Sequence, residues 1–126
     1  MIEVGAGELI DKITILEIKL DNITDAAKLK NVRHELDVLT AARRDHLVDS
    51  AELKRLTTEL RDVNQALWKI EDDIRECEAA GDFGERFIDL ARSVYRQNDK
   101  RAALKKAINV LSGSTIIEEK SYAEFE

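Results

Sequence analysis

The sequence predicts an all-α fold: an antiparallel, coiled-coil-like helical hairpin of residues 25–80, with additional helices packed at its base. The 126 residues include no proline and only five glycines, too few turn-forming residues for a many-turned β-fold. Apolar residues recur at alternating spacings of three and four along several segments, which is the period of one helix face. Charged residues make up 37 % of the chain, as expected for long helices with solvated outer faces. The length suits a single helical domain covering residues 1–126.

A first base helix is predicted over residues 7–22. Its apolar stripe repeats at spacings of 4, 3, 4 and 3 and comprises Leu9, Ile13, Leu16, Leu20 and Ile23. Three further isoleucines, Ile10, Ile15 and Ile18, widen this stripe. Because a helix that is apolar over more than one side is usually central in its bundle, we expect this helix to be central.

The hairpin is predicted from the next two helices, over residues 26–47 and 51–80. Thr24 or Asp25 can cap the first of them, and Asp49 or Ser50 the second. The apolar seam of the first runs from Leu29 to Leu39 and weakens at Arg43.

The third helix has the clearest pattern in the chain. Its seam is apolar at every position from Leu53 to Cys77, over nearly four heptads, and Gly81 ends it. Since only residues 48–50 separate the two helices, we expect their seams to face each other antiparallel, with Leu60 and Leu67 buried between them.

Two shorter base helices are predicted over residues 82–97 and 99–112. Asn98 or Asp99 can cap the second of them, and Gly113 ends it. The tail, residues 113–126, is expected to contain a short extended piece followed by an acidic end.

Composition excludes several classes of protein. Twenty basic and 26 acidic side chains give a net charge of −6, which makes nucleic-acid binding an unfavoured function. Cys77 is the only cysteine and His34 and His46 are the only histidines, so neither an intrachain disulfide nor a Cys- or His-based metal site is expected. No apolar run is long enough for a membrane span, and the N-terminus lacks the basic region of a secretory signal. We therefore expect a reduced, cytoplasmic protein without a cofactor.

Three stretches together resemble a known family: residues 7–20, residues 87–95, and Gly113-Ser114 followed by residues 118–122. The family consists of small uncharacterised bacterial and phage proteins of about this length, some of them encoded near surface-polysaccharide genes. The resemblance covers nearly the whole chain. It implies no activity and no catalytic residue, but it implies that both ends belong to the domain.

A basic segment, residues 86–106, is the first candidate site. Arg92 and Arg96 are four residues apart and share a helix face, and Arg101 follows on the next predicted helix. These three arginines are a candidate anion-binding set for phosphate or a similar group. The alternative is that they pair with the acidic third helix or the acidic tail.

A carboxylate cluster is the second candidate. Asp73 and Glu76 are spaced i, i+3, and Glu85 and Asp89 are spaced i, i+4. Carboxylates on facing helices can hold Mg²⁺ in an all-α nucleotide-acting enzyme. The match to such enzymes is loose, because the doubled glutamates are missing, and a solvated acidic face is the favoured interpretation.

The first helix also carries polar residues, among them Glu8, Asp11, Lys12 and Thr14. A small helical mutase acting on a dicarboxylate would need inward arginines on this helix, and it has none. Their spacing is typical of ordinary pairs on a helix surface.

The predicted function is a non-enzymatic interaction or scaffolding module, with a homodimer or another protein as partner. The third helix is longer than the rest of the chain can cover, so Trp68 or Ile10, Ile15 and Ile18 should stay exposed on a monomer and mark an interface. The alternatives are the Mg-dependent nucleotide-acting enzyme and the anion-binding module.

Overall fold

The fold is all-α, as predicted. The computed structural model describes residues 5–113, which form four helices and no strand. These are α1 (Ala6–Asn22), α2 (Ala26–His46), α3 (Ala51–Ala79) and α4 (Glu85–Ser112). The predicted extended piece and acidic end of the tail lie outside the described residues.

Local side chains fix where the helices begin and end. Asp25 caps α2, because its Oδ1 accepts the Ala27 N–H at 2.9 Å, and Ser50 caps α3 by accepting the Leu53 N–H at 3.0 Å. Gly81 and Gly113 follow α3 and α4 with φ angles of 68° and 72°, a left-handed conformation that costs glycine little.

α4 is a single helix where the sequence predicts two. It continues through Asn98 and Asp99, one or the other of which is predicted to cap a separate last helix. Between Glu85 and Ser112 there is no glycine or proline to interrupt the helix. Asn and Asp cap a helix only where the chain leaves the helical conformation, so the prediction of separate helices over 82–97 and 99–112 is wrong.

The predicted hairpin of residues 25–80 is not found either. α2 packs along α1, α3 packs along α4, and α1 packs against both α3 and α4, whereas α2 does not pack along α3. With 29 and 28 residues, α3 and α4 match in length, so α4 can cover the long seam of α3. On α2 only Val32 is buried, which is too little apolar surface to compete for α3.

The main core lies where α1 crosses the α3/α4 pair. Its buried members are Ala6, Ile10, Leu53, Leu56, Leu60 and Ile108. Leu60 is fully buried, as predicted, but Leu67 is only partly buried. Ile10 and Ile18 are buried as well, so the expectation that they stay exposed on a single chain is wrong, because α2, α3 and α4 all pack against α1.

Candidate functional site

A buried ion pair joins α1 to α4. The side chain of Asp11 is 1 % exposed, while that of Arg101 is 30 % exposed. Arg101 Nε donates to Asp11 Oδ1 at 2.9 Å and Nη2 donates to Oδ2 at 2.5 Å. This parallel, two-bond geometry is the strongest that arginine makes with a carboxylate.

Two further polar side chains complete the environment of Asp11. Asn64 on α3 donates through Nδ2 to Asp11 Oδ1 at 2.8 Å and to Thr14 Oγ1 at 2.9 Å. The Thr14 hydroxyl donates to the Asp11 carbonyl oxygen at 2.7 Å. Within residues 5–113, no buried side-chain nitrogen or oxygen lacks a hydrogen-bond partner. The network therefore links three helices and leaves no buried polar group unpaired. An unpaired buried group would destabilise the folded state.

The network keeps Asp11 ionised. Burial by itself raises the pKa of this carboxyl, but hydrogen bonds from Arg101 and Asn64 and the charges of Arg101 and Lys105 together hold the pKa below its ordinary value. The same hydrogen bond with Asp11 raises the pKa of Arg101. A carboxylate held charged in this way is a fixed counter-ion for Arg101 rather than a proton donor or acceptor near neutral pH.

The first turn of α1 lies directly against α4. Asn109 Oδ1 accepts the Gly7 N–H at 2.7 Å, and Lys105 Nζ lies 2.5 Å from Glu8 Oε2. A Cβ atom at Gly7 would lie 2.3 Å from the backbone oxygen of Lys105. Only glycine permits this close approach of the two helix backbones, and the approach places Asp11, one turn further along α1, opposite Arg101.

A cleft of about 350 Å³ opens beside this network, between α1, α3 and α4. Its apolar lining consists of Ile15, Ile18, Leu67, Trp68 and Val94. Its polar lining consists of Lys19, Asn64, Glu71, Asn98 and Arg101. The volume is in the range of small-molecule sites, and a few polar groups on an apolar wall are typical of them.

A second, shallower groove runs between the start of α3 and the end of α4. Its apolar lining consists of Leu56, Ala103, Ala107, Val110 and Leu111. Glu52, Arg55 and Lys106 also line it. We call this surface the α3/α4 groove.

The three predicted anion-binding arginines do not lie together. Arg92 and Arg96 are exposed, whereas Arg101 is turned toward Asp11. Nine residues separate Arg92 from Arg101, or two and a half turns of helix, which places them on opposite sides of α4. The two exposed arginines and Arg101 therefore face different surroundings.

The four predicted carboxylates are divided between α3 and α4. Asp73 lies 3.4 Å from Lys69 Nζ and 3.9 Å from Arg86 Nη2, and Glu76 lies 3.6 Å from the same Arg86 nitrogen. Glu85 and Asp89 are exposed on α4. In the described part of the chain, no three carboxylate, histidine or cysteine side chains are grouped closely enough to hold a metal ion.

Sequence reasoning identified Arg101 but missed its partner. The spacing of Asp11 predicts an ordinary position on the helix surface, whereas Asp11 and its neighbour Thr14 are both fully buried. A signal was present, because Gly7, Asp11, Thr14 and Ile18 follow the one-face spacing of 4, 3 and 4, so they face the same side of α1. Nothing in the sequence around Asn64 indicated its role.

Over residues 5–113, the fold and its polar centre define a bundle of four helices in which a buried, ion-paired network joins three helices beside an open cleft. None of the described helices combines the length and apolar character that crossing a bilayer requires. A family model matches residues 1–125, and the chain belongs to this family, DUF6165, a family of unknown function. Neither a curated protein nor a solved structure matches the chain.

Proposed function

We propose that the protein is a non-enzymatic interaction module of the bacterial cytoplasm that works as a homodimer. The observation that carries this proposal is the α3/α4 groove, where exposed apolar side chains of α4 border a groove with a largely apolar lining. Val110 and Leu111 are 62 % and 44 % exposed there. Exposed apolar patches of this kind usually mark a surface that another protein covers.

The groove has the features of a helix-pairing surface. Ala103, Ala107 and Val110 are spaced i, i+4 and i+7 along α4, which is the spacing that a helix uses to contact another helix. Two small alanines allow a close approach. Glu52, Arg55 and Lys106 line the groove as well, and Arg55 forms an ion pair with Glu52 on the same helix, so charged side chains border the apolar lining, as at the rim of a protein interface.

The resemblance to proteins encoded near surface-polysaccharide genes adds a finer expectation. Under this expectation, the dimer binds a protein that takes part in glycosyl transfer. Such a partner would bind in addition to the second copy.

Light scattering of the purified chain tests the dimer. We expect a mass of twice 14.3 kDa across the micromolar range. A specific dimer interface buries at least about 1,000 Å², and an interface of that size should keep the dimer together at these concentrations. The variant Val110→Glu places a charge in the groove and should give the mass of a single chain. The matched control is Val38→Glu on α2, where Val38 is 54 % exposed outside the groove, and it should remain dimeric. A single-chain mass for the wild type, or equal effects of the two variants, would contradict the proposal.

A further inference from the structure

The cleft between α1, α3 and α4 contains polar groups that no described residue engages. Asn64 uses its amide nitrogen for both of its hydrogen bonds, so its carbonyl oxygen accepts none from residues 5–113. Since no buried side-chain oxygen in that range lacks a partner, this oxygen is accessible. Asn64 is otherwise 5 % exposed and lines the cleft, which is therefore the space that the oxygen faces.

Arg101 presents a second binding edge in the same cleft. Its hydrogen bonds to Asp11 use Nε and Nη2, and Nη1 has no partner among the described residues. A guanidinium engaged in this way still offers two parallel N–H groups, from Nη1 and Nη2, at its other edge. That edge matches the two oxygens of a carboxylate or a phosphate. Asp11 fixes the orientation of the guanidinium in advance, so little freedom is lost on binding.

The remaining cleft residues add a flat apolar wall and a second cation. Trp68 and Leu67 come from α3 and Val94 comes from α4. Trp68 is partly exposed, as expected for a ring that contacts a ligand on one side. Lys19 lines the cleft from α1, and its ammonium has no ion-pair partner among residues 5–113. Glu71 lies 3.9 Å from Arg75, which reduces its repulsion of an anion.

We propose that this cleft binds a small molecule with a flat apolar body and one anionic group, either a carboxylate or a phosphate. The anionic group binds the free edge of Arg101 and Lys19, and the apolar body lies against Trp68. This site is independent of the α3/α4 groove and of the homodimer.

The single tryptophan makes the test specific. Because the chain contains one tryptophan, its ¹H–¹⁵N spectrum has one indole N–H signal, which belongs to Trp68. The probes are benzoate, phenyl phosphate, benzyl alcohol and inorganic phosphate, each titrated to millimolar concentration. We expect benzoate or phenyl phosphate to shift the indole signal saturably, and the stronger of the two identifies the anionic group. Benzyl alcohol lacks the anion and inorganic phosphate lacks the ring, so both should bind at least about tenfold more weakly.

Two variants and a control locate the binding. Arg101→Lys keeps a charge for Asp11 but loses the forked edge, and Lys19→Ala removes the second cation outside the buried network. Each should weaken binding of the favoured probe by about tenfold. Lys54→Ala removes an exposed charge outside the cleft and should leave binding unchanged. If Arg101→Lys fails to fold, Lys19→Ala and its control decide.

Three results would overturn the proposal. One is the lack of a saturable shift with either aromatic anion. Another is benzyl alcohol or inorganic phosphate binding as tightly as the aromatic anions. The third is an equal effect of Lys19→Ala and Lys54→Ala. The mass measurement of the homodimer is unaffected by any of them.

Discussion

Asp11 and Arg101 lie 90 residues apart in the sequence and are joined by two parallel hydrogen bonds at the centre of the fold. Their pairing depends on α1 crossing α4 closely at Gly7. It also has a consequence for the cleft, since Asp11 holds Arg101 in position while leaving one edge of the guanidinium open. The same pair thus serves stability and presents a binding group.

Replacing Asp11 with Asn should destabilise the protein strongly. The substitution removes the negative charge but leaves Arg101 partly buried, and removal of one member of a buried pair typically costs about 3 kcal/mol. The free energy of unfolding in urea measures the effect. Asp62→Asn, at an exposed site on α3, is the matched control and should change stability by less than about 0.5 kcal/mol. Similar values for the two variants would show that the buried pair contributes little.

The stability that Asp11 contributes should depend on pH. Its pKa in the folded protein is lowered from the ordinary value of 3.8. Above that value both states are ionised and the full contribution is present. As the pH falls below 3.8, Asp11 takes up a proton in the unfolded chain but not in the folded protein. The contribution to stability therefore decreases progressively, and the decrease ends once the pH is below the pKa of Asp11 in the folded state.

The difference in unfolding free energy between the wild type and Asp11→Asn measures this contribution. It should be constant near neutral pH and shrink below the ordinary pKa of an aspartic acid. A difference that stays constant or grows with acidity would mean that the pKa of Asp11 is not lowered in the folded state.

The limits of α2 and α3 could be predicted from the sequence because they depend on neighbouring residues. Asp25, Ser50 and Gly81 act within a few positions of themselves, and a capping side chain or a left-handed glycine has the same effect in most folds. The apolar period of α1 and α3 is equally local.

Helix pairing could not be predicted from the same patterns. The seam of α3 is apolar throughout, so it fits α2 or α4 equally well by pattern. The outcome depends on how much apolar surface each offers, and on α4 continuing past Asn98 instead of ending there. The Asp11–Arg101 pair depends in turn on that tertiary arrangement. Each residue is an ordinary charged position in its own helix, and only the crossing of α1 and α4 buries them together.

Gly7→Ala should separate α1 from α4. Alanine normally stabilises a helix by about 1 kcal/mol relative to glycine. Here its Cβ would lie 2.3 Å from the Lys105 backbone oxygen, so the helices must move apart, and we expect a net loss of about 2 kcal/mol in unfolding free energy. The control is Gly84→Ala, whose Cβ would meet only the Asp82 side chain at 3.4 Å.

Gly84→Ala should cost about 1 kcal/mol, because Gly84 caps α4 with a φ of −83° and a ψ of −147°, a cap conformation that glycine adopts more readily than alanine. A stabilising Gly7→Ala substitution would mean that the two backbones are further apart than described. The indole N–H signal of Trp68 gives a second readout, since displacement of α1 alters the cleft.

Truncating two leucines of the same seam should have unequal effects. Leu60 is fully buried in the core, so Leu60→Ala leaves a closed cavity and should cost about 2–5 kcal/mol in unfolding free energy. Leu67 belongs to the same stripe of α3 but lines the open cleft. Leu67→Ala widens a space that solvent already reaches, so it creates no closed cavity and costs only the lost apolar contact. We expect its effect on the unfolding free energy to be about half that of Leu60→Ala or less.

Both substitutions remove the same atoms from the same helix, so a difference between their unfolding free energies reflects the difference between the cleft and the core. Urea unfolding of the two variants under one set of conditions gives the two costs directly. Equal losses would mean that Leu67 is enclosed as fully as Leu60, and that the cleft beside Arg101 is closed in solution. A smaller loss for Leu67→Ala, accompanied by a shifted indole signal from Trp68, would establish an open cleft bordered by these two side chains.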